Sequence, residues 1–241
     1  MKPIAVVTGG TRGIGRAIAL RLAAGGYDVV AASRRAPDSA QPGVRFIACD
    51  VTDPASVRAL FTALGPRVDA LVNNAGVAGA NSLAADADDA LWHTILNTNL
   101  NGAYYCAKAA LAQLPDGSGR IVNIASVLGL RGVADQTAYC AAKHAVVGFT
   151  RALALALAPR GITVNAVCPG WVSGEMSRLR FAELGITAAQ AAASIPTGRI
   201  TSPEDVAEAV AFLLGPGAAN ITGHALPIEG GGLALPEIDP A

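Results

Sequence analysis

Tyr139 and Lys143 stand four residues apart in the run TAYCAAKHA, which is otherwise small and apolar. On a helix that spacing puts both side chains on one face. A free phenol has a pKa of about 10 and is a poor acid–base group at neutral pH. An ammonium roughly 4 Å away contributes about 4 kcal/mol at an effective dielectric near 20. Before desolvation losses that equals roughly three pKa units. The pair is therefore either a proton-transfer centre or simple packing, and its surroundings must decide. Ser126 closes the apolar run RIVNIAS thirteen residues before Tyr139, and NTNLNGAYY carries Asn99.

A second chemical signal sits near the N-terminus. Gly9, Gly13 and Gly15 in VVTGGTRGIGRAIA are spaced G-x-x-x-G-x-G between an apolar run and a helical pattern. Side-chain-free turns at a helix N-terminus let a pyrophosphate approach backbone N–H groups. About twenty residues further on, NAD-binding folds usually carry an acid that accepts bonds from the ribose hydroxyls. Here the segment reads AASRRA, with Ser33, Arg34 and Arg35. A carboxylate would repel a 2′-phosphate, whereas a serine and a guanidinium hold one. Arg12 adds a second cation, so NADP (as NADPH) is favoured over NAD.

These residues need a frame. Apolar runs at Ile4–Thr8, Asp28–Ala32, Val44–Ala48, Ala70–Asn73, Arg120–Ala125, Thr163–Val167 and Ala225–Ile228 read as strands covered on both faces. Helical periods fill Ile14–Ala24, Pro54–Leu64, Ala87–Leu114, Ala138–Ala158 and Pro203–Leu214. The alternation predicts an α/β Rossmann fold, a doubly wound parallel sheet of about seven strands with helices on both faces. RRAPDSAQPG, between the second and third strands, holds two prolines and a glycine and is too short for a crossover helix. Ligands of such sheets bind beyond the carboxyl ends of the strands. The glycine turn, Asn74–Gly76, Ser126 and the CPG of Cys168–Gly170 all fall at that edge.

Composition narrows the classes. The 241 residues are 52% hydrophobic and 15% charged, with no net charge, which fits one domain with a large core. A pI near 6.8 and the lack of a long basic run argue against nucleic-acid or membrane surfaces as partners. No segment reads as a bilayer span: the best, AVVGFTRALALALA, is interrupted by Arg151 and preceded by Lys143. The apolar stretch before the first glycine is too short for a signal peptide. Cys49, Cys106, Cys140 and Cys168 have no paired spacing and read as buried hydrophobes in a reducing compartment. His93, His144 and His224 lack metal-ligand spacing, Trp92 reads as core, and the tail from Leu235 reads as loose. A cytoplasmic location is expected.

Taken together, TGGTRGIG, CDVTD, NNAG, NTNLNG, IVNIASVLG, YCAAK, ITVNAVCPG and GHALPIEGGG resemble the short-chain dehydrogenase/reductase family over nearly the whole chain. The chain is similar to ketoreductases of the 3-oxoacyl-[acyl-carrier-protein] reductase kind. The resemblance implies a catalytic tetrad of Asn99, Ser126, Tyr139 and Lys143. It implies adenine contacts from Asp50 and Val51, and cofactor contacts from Asn74, Ala75, Gly76, Pro169 and Gly170. With the glycine turn (Gly9, Thr11, Arg12, Gly13, Ile14, Gly15), Ser33, Arg34, Tyr139, Lys143 and Val172, these make up the expected cofactor site. The mechanism that the resemblance implies passes hydride between the nicotinamide and a carbonyl carbon, with Tyr139 delivering the proton, Ser126 donating to the carbonyl oxygen and Lys143 holding the ribose. By the same resemblance Asn99 is expected to organise a helix kink. The family's usual threonine after Pro-Gly falls at Gly174, which leaves its hydroxyl contact either lost or moved to Ser173.

The substrate mouth is expected at Leu128, Gln136, Trp171, Met176 and a flap at about 171–200, within one domain spanning residues 1–241. The resemblance also points to a homotetramer. The leading expectation is an NADPH-dependent reductase of a small-molecule ketone, 3-oxoacyl or general. The alternatives are an NAD-dependent secondary-alcohol dehydrogenase and a non-catalytic cofactor-binding protein.

Overall fold

The computed structural model describes residues 2–84, 86 and 88–234. In chain order the strands are β1 (Ile4–Thr8), β2 (Asp28–Ser33), β3 (Val44–Ala48), β4 (Ala70–Asn73), β5 (Arg120–Ile124), β6 (Thr163–Pro169) and β7 (Ala225–Ile228). They form one parallel sheet in the order β3-β2-β1-β4-β5-β6-β7, the doubly wound arrangement expected. Order reverses beside β1, which is flanked by β2 and β4, and that is where such sheets open a crevice.

The helices are α1 (Gly13–Ala24), α2 (Pro54–Ala63), α3 (Ala90–Leu96), α4 (Gly102–Ala110), α5 (Thr137–Leu157), α6 (Glu175–Leu184), α7 (Ala188–Ala193) and α8 (Pro203–Leu214). Strand alternation divides the core between the two faces. Val6 joins Val57, Leu60 and Phe61 of α2, Cys106 and Ala107 of α4, and Leu157 of α5. Its neighbours Ala5 and Val7 join Ile18 and Leu22 of α1 and Val206, Val210 and Leu213 of α8 on the other face. Each large apolar side chain so buried contributes about 1.5–3 kcal/mol. Asn73, Asn123 and Thr150 cross one layer as a buried chain of hydrogen bonds, 2.9 and 2.8 Å, tying β4, β5 and α5 together.

Several expectations need correction. Two-sided coverage fails for β3: it is an edge strand over which no crossover helix passes, and Arg45 and Phe46 are exposed. The helix expected over Ala87–Leu114 is broken by a π-helical turn at Asn97–Asn101. Its expected start at Ala87 and the tail from Leu235 lie outside the described residues. Thr137–Arg160 is, after all, long and apolar enough by composition to cross a bilayer. In the structure α5 packs as a core helix, burying Val146, Val147, Ala154 and Leu157. The flap holds two helices that the sequence does not announce, α6 and α7, the latter started by a Thr187–Gln190 capping box. Trp92 is half-buried against Ile95, Ala138 and Ala142, and all four cysteines are buried and free.

Candidate active site

A cleft of about 520 Å³ runs along the carboxyl ends of β1, β2, β4, β5 and β6 and beneath the start of α6. A smaller cavity of about 240 Å³ lies beside Arg199, Asp205 and Glu229. The Arg199 and Asp205 side chains there are paired with each other, whereas the larger cleft gathers the residues expected to act.

The glycine turn forms its floor. Gly9 and Gly13 have φ of +64° and +51°, which only glycine adopts cheaply. A Cβ on Gly15 would stand 2.2 Å from the Gly9 carbonyl oxygen, so the turn can close on α1 only without it. Asn74 clamps the turn from β4, its Nδ2 donating to the carbonyls of Thr8 and Gly9 at 2.8 and 3.3 Å. The Thr8 hydroxyl accepts the N–H groups of Asn74 and Ala75 at 2.9 and 3.0 Å. From the opposite side the Gln41 amide donates to the Thr11 carbonyl at 3.1 Å. Helix α1 begins without a side-chain cap and without an acid in its first turn. Its first N–H groups and the positive end of its dipole are thus available to an anion. The residues present fit a dinucleotide diphosphate.

At the end of β2, Ser33 is half-buried and Arg34 exposed, with no carboxylate between Ser33 and Ala36. The Asp50 carboxylate accepts the N–H and hydroxyl of Thr52 at 2.9 and 2.7 Å. Those bonds, with a smaller pull from Arg34, hold its pKa below the ordinary carboxylate range. Arg12 reaches across the cleft mouth to Glu175, 2.8 Å away, both largely exposed.

The groups expected to react converge on the end of β5. Ser126 accepts the Leu128 N–H at 3.1 Å through its hydroxyl oxygen, which leaves its own proton free to be donated. The one-turn helix Val127–Gly129 rests directly on α5, because a Cβ at Gly129 would lie 2.6 Å from the Lys143 carbonyl oxygen. This contact brings Ser126 to Tyr139. Lys143 is buried and donates to the Ile124 carbonyl at 2.8 Å. Asn99, buried in the π turn, exchanges two 2.8 Å hydrogen bonds with the backbone of Val77. Asn81 starts α5: its Oδ1 accepts the Ala138 N–H at 3.0 Å and its Nδ2 donates to the Thr137 hydroxyl at 2.7 Å.

The electrostatics of the pair differ from those read from spacing. Burial pushes the Tyr139 phenol up to about 12, with Ser126 pulling modestly the other way. Burial pulls Lys143 down to about 8. Burial is therefore the leading influence on both groups, raising the phenol and lowering the ammonium.

Every residue expected to contact the cofactor lines the cleft, from Gly9 to Val172, as do Ser126 and Met176. Asn99 lies behind the wall, acting through Val77. Leu128, Gln136 and Trp171, expected at the substrate mouth, are not on the wall. Trp171 packs at a tilt against Phe181, with ring centroids 4.9 Å apart, Leu128 belongs to the short helix after Ser126, and Gln136 is buried ahead of α5. Ser173 and Gly174 both face the cleft. Thr8, Gln41 and Asn81 were not anticipated, and Glu175 only as part of the substrate flap. Thr8 at the strand end before the glycines was the one with a local signal.

Comparison with known proteins agrees with this geometry. The family described as enoyl-(acyl carrier protein) reductase matches residues 9–232. The chain is 39% identical to the 3-oxoacyl-[acyl-carrier-protein] reductase FabG of Vibrio harveyi, over 95% of this chain and 96% of that protein. A variant of actinorhodin polyketide ketoreductase with NADPH superposes with a TM-score of 0.85 at 39% identity, covering 96% of this chain and 97% of the other. The aldohexose dehydrogenase of Thermoplasma acidophilum, in ligand-free form, superposes at 0.91 with 33% identity, covering 100% and 97%. With its glycine turn, serine, tyrosine and lysine on one cleft of a seven-stranded parallel sheet, the chain belongs to the short-chain dehydrogenase/reductase family of oxidoreductases.

Proposed function

We propose that this protein reduces a ketone, 3-oxoacyl or general, to a secondary alcohol with NADPH, and that the whole chain works as one domain with residues 171–200 as substrate flap. The observation that carries the reading is the meeting of Ser126, Tyr139 and Lys143 on one cleft that also has Arg12 and Arg34 on its wall. The names of the Vibrio reductase and of the NADPH-bound ketoreductase point the same way.

The bound nicotinamide would supply hydride to the carbonyl carbon. Ser126 donates a hydrogen bond to the carbonyl oxygen as negative charge grows there, and Tyr139 hands that oxygen its proton. Lys143 binds ribose hydroxyls and, once charged, stabilises the tyrosinate left behind. The Asn99–Val77 bonds hold the loop after β4 against α5. The uncapped start of α1 would take the diphosphate, Asp50 and Val51 would hold the adenine, and Ser33, Arg34 and Arg12 would hold the 2′-phosphate. We place the protein in the cytoplasm as a homotetramer, supported by exposed Tyr104 and Leu155 on α4 and α5.

The test is NADPH and NADH consumption over a panel of ketones and 3-oxoacyl thioesters. Turnover with NADPH that disappears in Tyr139→Phe is expected. Tighter binding of NAD than NADP, unchanged by Arg34→Ala, would overturn the cofactor assignment.

A further inference from the structure

Between β2 and β3 the chain has no helix, only the stretch Arg34–Gly43 with prolines at 37 and 42. In that polar, open stretch Gln41 is 6% exposed, while Ala40 and Pro42 on either side are exposed. Its Nε2 donates to the Thr11 carbonyl at 3.1 Å, and its Oε1 has no partner. The amide orientation is fixed by chemistry, since the reverse would set one carbonyl oxygen against another. A residue kept only for packing would not leave a buried acceptor unmatched, because an apolar side chain of the same size fills the space without that cost.

Thr11 lies between Gly9 and Gly13, both at positive φ, in the most freely jointed part of the turn. Asn74 reaches Thr8 and Gly9 only. Among the described residues, Gln41 is the side chain that holds the backbone of residues 10–12. We propose that Gln41 is a positioning residue for the phosphate-cradling turn. By fixing the Thr11 carbonyl it aims the first N–H groups of α1 into the cleft, and it sets cofactor affinity without taking part in the chemistry. The connection that lost its helix thus serves as the second jaw of a clamp, opposite Asn74.

The inference rests on the cofactor reading above. The test compares wild type with Gln41→Leu, which keeps the volume and removes the donor, and Gln41→Glu, which turns acceptors toward Thr11. NADPH dissociation constants, kcat at saturating NADPH and thermal midpoints are measured for each. Loss of one neutral hydrogen bond predicts NADPH binding roughly three- to tenfold weaker in Gln41→Leu. Saturated kcat should be unchanged and the midpoint should move little, since the variant loses the Thr11 bond together with the unmatched acceptor. Gln41→Glu should bind more weakly still, which decides the matter if Gln41→Leu folds poorly. Unchanged NADPH binding in a folded variant, or a fall in saturated kcat matching the fall in kcat/KM, overturns the inference alone. A wild-type protein that binds neither NADPH nor NADH overturns the cofactor reading and this inference with it.

Discussion

Lys143 Nζ lies 5.5 Å from the centroid of the Tyr139 ring, and its hydrogen bond goes to the Ile124 carbonyl rather than to the phenol. The lysine is thus parked on the last residue of β5, two residues before Ser126. Alkaline difference spectroscopy should show the tyrosinate signal of Tyr139, obtained by subtracting Tyr139→Phe, appearing only toward pH 12. Tyr139→Phe should also lower kcat by roughly 10²–10⁴-fold with the fold intact, the range for losing a positioned general acid. A Tyr139 signal complete by pH 9 would contradict the burial argument.

The buried lysine has a signature in stability. Its ordinary pKa is 10.5 and its folded value about 8. Between those limits the unfolded chain binds more protons than the folded one, so unfolding free energy rises with pH through this window. Below pH 8 both states are charged and the burial penalty is constant. Urea unfolding from pH 7.5 to 10 should show this rise in wild type and its absence in Lys143→Met. Tyr139, shifted upward, acts with the opposite sign above its ordinary value of 10.

Arg12 has two claims on it, the Glu175 carboxylate in the free protein and the 2′-phosphate in the proposed complex. Exposed ion pairs are worth about 0.2–1 kcal/mol. Glu175→Gln should therefore tighten NADPH binding by up to about fivefold at low salt, with the gain fading at high ionic strength. Isothermal titration at two salt concentrations measures it, and weaker binding would show that Glu175 assists the cofactor.

Gly15 sits in α1, where alanine is ordinarily better by roughly 0.5–1 kcal/mol. The 2.2 Å approach to the Gly9 carbonyl reverses that sign. Gly15→Ala should cost about 1–3 kcal/mol in denaturant stability and should abolish NADPH binding as the turn is forced open.

What the sequence disclosed, and what it hid, follows the range of the interactions. The start of α8 was legible because Ser202, Pro203 and Asp205 spell a cap within four residues. The ends of β1 and β4 were legible because glycine or asparagine follows each apolar run. The glycine turn, Ser126, Tyr139 and Lys143 were readable as types at fixed spacing. The π turn was foreshadowed only by the kink that the family resemblance implies at Asn99, because its five residues keep the helical look of both neighbours. Helix α6 escaped because EMSRLRFAEL has little apolar face. Gln41 and Asn81 act across 30 and 57 residues, and no local pattern marks such pairs. The direction of the Tyr139 shift depended on how deeply the pair is buried, which spacing does not contain.

The wide turn at Asn97–Asn101 has a further consequence, for the phase of the helices on either side of it. A π turn takes up one residue more than the α-helix around it, so α3 and α4 differ in rotational setting by about 100°. Ile95 can then face Ala138 and Ala142 of α5 while Cys106, Ala107 and Ala110 face the sheet. Removing one residue there would leave an ordinary helix with one of those two faces turned to solvent. Substitutions that preserve length and keep Asn99, with its two bonds to Val77, leave this setting intact.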